Sequence, residues 1–167
     1  VWANRAFGVT ISGIGTQPTV RANRVHDGKS AGIIVGNGAQ PQIDRNELWG
    51  NAQHAIGIGG AGTDPLVRSN HVHDGQHNGI FVQDGASPRL EENDILANAG
   101  PGISIVGADS NAIVRANRVH DGQNNGILVQ DGASPQIEDN DLSANALVQM
   151  AIVGQGSDPI VRTNRIH

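Results

Sequence analysis

The sequence predicts an all-β fold, a right-handed parallel β-helix (solenoid) of about seven coils of 23–24 residues with three short strands in each. Internal repetition is the first observation behind this. Val114–Leu142 matches Val67–Ile95 at 21 of 29 positions, and Val20–Leu48 is a looser third copy, successive copies lying 47 residues apart. The second observation is a half-period: the Asn of the VRAN or IDRN element falls at Asn23, Asn46, Asn70, Asn93, Asn117, Asn140 and Asn164, in steps of 23 and 24 residues, a solenoid spacing. The third is composition. With 23 Gly, two Phe, two Trp and no Tyr in 167 residues, the interior must be built from stacked Ile, Val and Leu, and no stretch sustains a helical period.

Each coil is read from the same landmarks. Nine residues after the Asn a Gly-Ile-x-Val-like segment begins, at Gly32, Ala55, Gly79, Gly102, Gly126 and, degraded, Gln149. Its period of two places Ile33 and Val35, Ile80 and Val82, and their equivalents on one face, as a half-buried strand requires. Asn37-Gly38, Asp84-Gly85 and Asp131-Gly132, followed by Pro41, Pro88 and Pro135, are turn chemistry. A second strand carries Val20, Ile43, Val67, Leu90, Val114, Ile137 and Val161 inward. The adjacent charges after it, Asp44-Arg45, Glu91-Glu92 and Glu138-Asp139, are both expected in solvent, so a corner is placed at the Asn, whose side chain tolerates left-handed backbone. A third strand turns Val25, Leu48, Val72, Ile95, Val119, Leu142 and Ile166 inward. Five residues after each Asn the chain reads Gly28, Asn51, Gly75, Asn98, Gly122, Asn145, which predicts positive φ and a second corner there, with Gly75→Asn expected to be mild.

The two-coil superperiod has an electrostatic reading. Two residues before the Asn, an in-register stack would align Arg21, Asp44, Arg68, Glu91, Arg115, Glu138 and Arg162. One residue after it, the column is Arg24, Glu47, His71, Asp94, Arg118, Asp141 and Arg165. Opposite charges alternate at every step, in the second column with His71 counted as a potential cation, which stabilises a parallel register where like charges would oppose it.

A net charge of -5 and a pI near 5.7 argue against a nucleic-acid partner held by basic patches, and no apolar run approaches a membrane helix. The absence of Cys removes disulfides and thiolate metal sites and leaves the compartment open. Val1-Trp2-Ala3-Asn4 aligns with Leu48-Trp49-Gly50-Asn51, so residues 1–167 read as a single β-helix domain that opens and closes in mid-coil, a segment lacking its caps.

Candidate chemistry is sparse. His26, His73, His120 and His167 recur every second coil, about 9.6 Å apart at parallel-strand spacing, too far to share one ion. They are read as corner residues bonded locally, and His54 and His77 as solvated singletons. No catalytic residue, metal ligand or cofactor is assigned. Outward positions of the Gly-Ile-x-Val strand alternate large and small: Thr10, Ile34, Gly57, Phe81, Ser104, Leu128, Ala151. Ile34, Phe81 and Leu128, with Gln83 and Gln130 two positions on, form the candidate binding stripe, since a continuous apolar strip on a flat sheet marks an interaction surface or a face covered by another part of a longer parent protein.

The pattern GIxV…PxIxxNxIxxN resembles the right-handed β-helix repeats of the pectin-lyase-like superfamily, including its carbohydrate-binding and sugar-hydrolase (CASH) domains. Through Asn117-Arg118-Val119-His120-Asp121-Gly122 and Pro135-Gln136-Ile137-Glu138-Asp139-Asn140 it also looks like the β-helical region of an F-box-only ubiquitin-ligase subunit. The resemblance implies architecture more than activity. The Asn-Thr-Asp, Asp-Asp, Gly-His-Gly and Arg-Ile-Lys elements of polygalacturonases are missing. So is the Asp-Pro-His-Glu of mannuronan epimerases, since Asp64-Pro65 and Asp158-Pro159 continue into Leu66 and Ile160. The expectation is a non-catalytic scaffold or protein-recognition module, with a protein partner or self-association. The alternative is a polysaccharide-binding or polysaccharide-cleaving module.

Overall fold

The computed structural model describes residues 1–167, and its regular structure is entirely β. Twenty-one short strands form three seven-stranded sheets, each taking every third strand in order and pairing only in parallel. In the first coil the strands are Val9–Ser12, Thr19–Arg21 and Arg24–His26; the sheets that continue from them are called I, II and III. Seven coils at parallel-strand spacing make a rod of roughly 34 Å.

The inward residues expected from the period of two are the core. Ile33, Ile56, Ile80, Ile103 and Ile127 stack in one column, Ile43, Val67, Leu90, Val114 and Ile137 in a second, and Leu48, Val72, Ile95, Val119 and Leu142 in a third, all essentially inaccessible. The last coil leaves Ile152, Val161 and Ile166 partly exposed.

Register is held by buried amides. Asn46, Asn70, Asn93, Asn117 and Asn140 lie inside the corner between sheets II and III. Each side-chain oxygen accepts from the backbone N–H and the amide of the Asn one coil earlier, as at Asn93 Oδ1 with Asn70 N and Nδ2, both 3.0 Å. Each amide also donates to a backbone carbonyl of the preceding coil, Asn93 Nδ2 to Val67 O at 2.9 Å. A missing member would leave buried donors and acceptors unpaired, at about 1–3 kcal/mol per group.

The corner backbone differs from the sequence reading by one residue. Positive φ falls not on the Asn but just before it, at Ala22, Arg45, Ser69, Glu92, Ala116, Asp139 and Thr163. The N–H of that residue points up the stack, Ser69 N donating to Glu91 O at 3.1 Å and Ala116 N to Glu138 O at 3.2 Å. The second corner shifts likewise: left-handed backbone sits at Asp27, Gly50, Asp74, Ala97, Asp121 and Ala144, and at none of Gly28, Asn51, Gly75, Asn98, Gly122 and Asn145.

The Gly/Asn alternation therefore has a steric cause. Asn98 Oδ1 accepts from Gly75 N at 3.0 Å, and a Cβ on residue 75 would stand 2.8 Å from that oxygen. Asn51 over Gly28 and Asn145 over Gly122 repeat the contact. Glycine makes room for the amide of the next coil, so two successive coils cannot both carry Asn there.

A third ladder went unread in the sequence. Thr63 and Ser110 are fully buried after sheet I; their hydroxyls accept from Gly38 N and Gly85 N and donate to Gly59 O and Val106 O. The visible signal was a small hydroxyl every 47 residues at Thr16, Thr63, Ser110 and Ser157, alternate with the Asp-Gly and Asn-Gly turns.

Both charge columns are in register. Asp44 pairs with Arg21 and Arg68, Glu91 with Arg68 and Arg115, and Asp94 with His71 and Arg118 as strand neighbours. Not every neighbour closes an ion pair. Arg21 reaches Asp44 at 3.1 Å and Arg24 reaches Glu47 at 3.0 Å, while Glu91 takes Arg89 of its own strand at 2.7 Å. Asp44, expected in solvent, is buried among Arg21, Arg45 and Arg68.

The Gly75–Asn98 contact yields a prediction. Gly75→Ala should destabilise by about 1–3 kcal/mol, the usual penalty for a side chain forced into packed space. In an Asn98→Gly background the same change should cost little, a coupling that a double-mutant cycle of denaturant melts reads directly. Equal costs in both backgrounds would return the glycine to a backbone role.

Candidate functional site

The outward column of sheet I is in register as expected, Thr10, Ile34, Gly57, Phe81, Ser104, Leu128 and Ala151 standing as successive neighbours. Its large members are half-buried because they lean into the spaces left by the small ones: a Cβ on Gly57 would meet Ile34 Cδ1 at 2.7 Å. Between Ile34 and Phe81 this leaves a groove of about 310 Å³, floored by Gly57 and Gly59 and edged by His54, Asn37, Gln83 and Asp84. Ile34, Phe81 and Gln83 thus meet in one place. Leu128 and Gln130 continue the same columns two coils further on and lie outside the groove.

His54 is the residue that sequence reasoning missed. It is half-buried, not solvated. Its ring stacks on Phe81 at 4.4 Å between centroids and 20° between planes, and meets the exposed His77 edge-on at 4.9 Å. Burial first, and the neighbouring His77 second, lower its pKa from 6.5 to about 4, so the ring is neutral near pH 7. Its Nδ1 is buried and makes no hydrogen bond within the chain. No periodic signal marks His54, because its place is set by Phe81 one coil later.

The groove offers the stacked rings of Phe81 and neutral His54, an aliphatic wall, two carboxamides and a carboxylate. These are groups that hold hydroxyl-bearing rings. For proton transfer near neutral pH a His titrating near 4 is a weak base.

Two other clusters explain themselves structurally. On sheet II and its corner, Arg89, Glu91, Glu92, Arg115 and Asp139 border a polar hollow in which Arg115 pairs with Asp139 at 3.2 Å. The hydrogen bond from the Thr163 hydroxyl, aided by Arg115, holds the Asp139 carboxyl below its ordinary pKa despite an opposing effect of desolvation. On sheet III three corner histidines bond their own following Asp through Nδ1, at 2.8 Å in His26–Asp27, 2.7 Å in His73–Asp74 and 2.6 Å in His120–Asp121, and His167 bonds Asp141 through Nε2 at 2.9 Å. Trp49 lies between His26 and His73, 4.0 Å and 5.8 Å from their ring centroids. This is the local bonding and packing expected of these histidines.

A family model described as a right handed beta helix region matches residues 7–166. The chain belongs to that family. Among solved structures, it is similar to a variant of the periplasmic alginate epimerase AlgG, with a TM-score of 0.91 and 16% identity over 99% of this chain and 43% of that one. AlgG itself superposes with a TM-score of 0.83 at 15% identity, over 99% and 44% of the two chains. The A-module of the Azotobacter vinelandii mannuronan C-5 epimerase AlgE6 gives 0.55 at 14% identity, over 98% and 56%. The β-helix thus spans less than half the length of the AlgG structures. These likenesses establish the fold. Comparison with curated proteins finds no similar sequence.

His54 makes stability depend on pH. The unfolded chain takes up a proton near pH 6.5 and the folded one only near 4, so the unfolded state binds more protons between those values and the folded state loses stability as pH falls through them. His54→Phe removes that loss. Its melting temperature relative to the parent should rise as pH drops from about 6.5 to about 4 and change little above that window; a constant difference across the range would contradict the assignment.

Proposed function

We propose that this β-helix is a non-catalytic polysaccharide-binding module that holds a glycan against sheet I. The observation that carries the reading is the groove between Ile34 and Phe81, where His54 stacks on Phe81 above a glycine floor and Asn37, Gln83 and Asp84 supply polar contacts. Flat apolar ring faces beside convergent hydrogen-bonding groups suit a sugar, whose faces carry C–H groups and whose edge carries hydroxyls. The fold shared with two alginate-modifying enzymes supports a glycan over the protein partner expected from the sequence. Binding is favoured over turnover because the titratable groups of the groove are a weakly basic His54 and a single carboxylate, Asp84. Ile34, Phe81 and Gln83 are assigned direct contacts, and Leu128 and Gln130 a flanking role for a longer chain. Recognition of a protein, which the likeness to F-box-only subunits implies, would use the same stripe.

Affinity electrophoresis in gels containing soluble polysaccharides tests this. The parent chain should be retarded. Phe81→Ala and Gly57→Leu, which remove a ring face and fill the notch, should each weaken retention about tenfold or more, equivalent to about 1.4 kcal/mol, while Leu128→Ala changes it far less. Gly57 has ordinary backbone and a Cβ there would meet chiefly the flexible end of Ile34; melts should show both variants folded. Absence of retardation by every polysaccharide, or equal losses in all three variants, would overturn the reading.

A further inference from the structure

The charge map of the rod narrows the ligand. Eight arginines lie in strands of sheets II and III, and Arg45 lies at the corner between these sheets. Of the 11 Lys and Arg residues this leaves Arg5 and Lys29, both in turns leading to sheet I and neither bordering the groove. The seven strands of sheet I contain no charged residue at all. The one formal charge at the groove is negative, on Asp84, and Asp131 repeats it two coils on.

A polyuronate presents one carboxylate per sugar. Laid against sheet I, each would be partly desolvated without a cation to pair with, and would face the carboxylate of Asp84, which is unfavourable on both counts. His54 adds no compensating charge near neutral pH, since burial keeps its ring neutral. Nor do the arginines of sheets II and III offer a second track, because carboxylates interleave with them coil by coil. Uncharged sugars meet none of these penalties and gain the Phe81–His54 faces and the Asn37 and Gln83 amides.

We propose that the sheet I groove selects an uncharged polysaccharide over a polyuronate. This rests on the glycan-binding reading and adds the class of glycan, one opposite in charge character to the alginate named for the structurally similar enzymes. Titration calorimetry on the full chain tests it with two sets of β-1,4-linked hexasaccharides: uncharged ones built of glucose, mannose or xylose, and oligomannuronate, alongside α-1,4-linked oligogalacturonate. At least one uncharged probe should bind about tenfold or more tighter than either uronate, with an affinity that hardly changes between low and high salt. Asp84→Lys, checked by melting to be folded, should raise uronate affinity at low salt, with the gain lost at high salt. Tighter, salt-sensitive binding of a uronate by the parent chain would overturn the selectivity while leaving glycan binding in place. Binding of no probe at all would overturn both.

Discussion

Each coil turns at a left-handed residue set directly before an asparagine, and from Asn46 to Asn140 that asparagine is buried and its amide finds partners in the coils above and below. This requirement governs the rest of the molecule. A slip of one residue between coils would separate Asn70 from Asn93, turn inward residues outward and leave buried amides unpaired. The left-handed conformation costs about 1–2 kcal/mol for a non-glycine residue, and the same step returns hydrogen bonds from the left-handed N–H, the Asn N–H and the Asn amide. Alternate Asn over Gly at the second corner, and alternate Thr or Ser after sheet I, repeat the solution with a two-coil period.

The same register distributes charge. Arginines and carboxylates stack alternately on sheets II and III, where half-exposed pairs each add little but together disfavour a shift by one coil. Sheet I has no such columns; its coils are joined by the Ile33–Ile56–Ile80–Ile103–Ile127 stack and by the Thr63 and Ser110 hydroxyls, which accept from Gly38 N and Gly85 N one coil earlier. The strands of this face are free of formal charge, and the one charge at its groove is Asp84 in the flanking turn. On this face, alternation of Ile34, Gly57 and Phe81 cuts a groove into an otherwise flat sheet.

Period and inward residues were legible because a solenoid writes each three-dimensional contact as a repeat in the chain. The charge columns were legible for the same reason: once register is assumed, residues 23 or 24 apart are neighbours. What could not be read was whatever depends on the local backbone or on a single coil. Ala116, Glu92 and Thr163 do not advertise positive φ; the Asn after each of them does, and the corner was accordingly placed one residue late. Gly75 looks like a residue chosen for flexibility, yet its reason lies in Asn98, one coil away. Asp44 looked solvated because its burial comes from three arginine side chains, two of them on neighbouring coils. His54 has no counterpart in other coils, so nothing in the repeat points to it, and its stacking on Phe81 one coil later is a contact of the fold alone.

The strands of sheet I carry no charged residue, and this is the face proposed to meet a glycan. Amide chemical-shift mapping by NMR, during titration with an uncharged β-1,4-linked oligosaccharide, tests that placement most directly. The largest changes should fall on residues of coils two to four of sheet I and its flanking turns, at Asn37, His54, Gly57, Phe81 and Gln83. Changes concentrated instead on the arginine columns, at Arg68, Arg115 and Arg118, would contradict it.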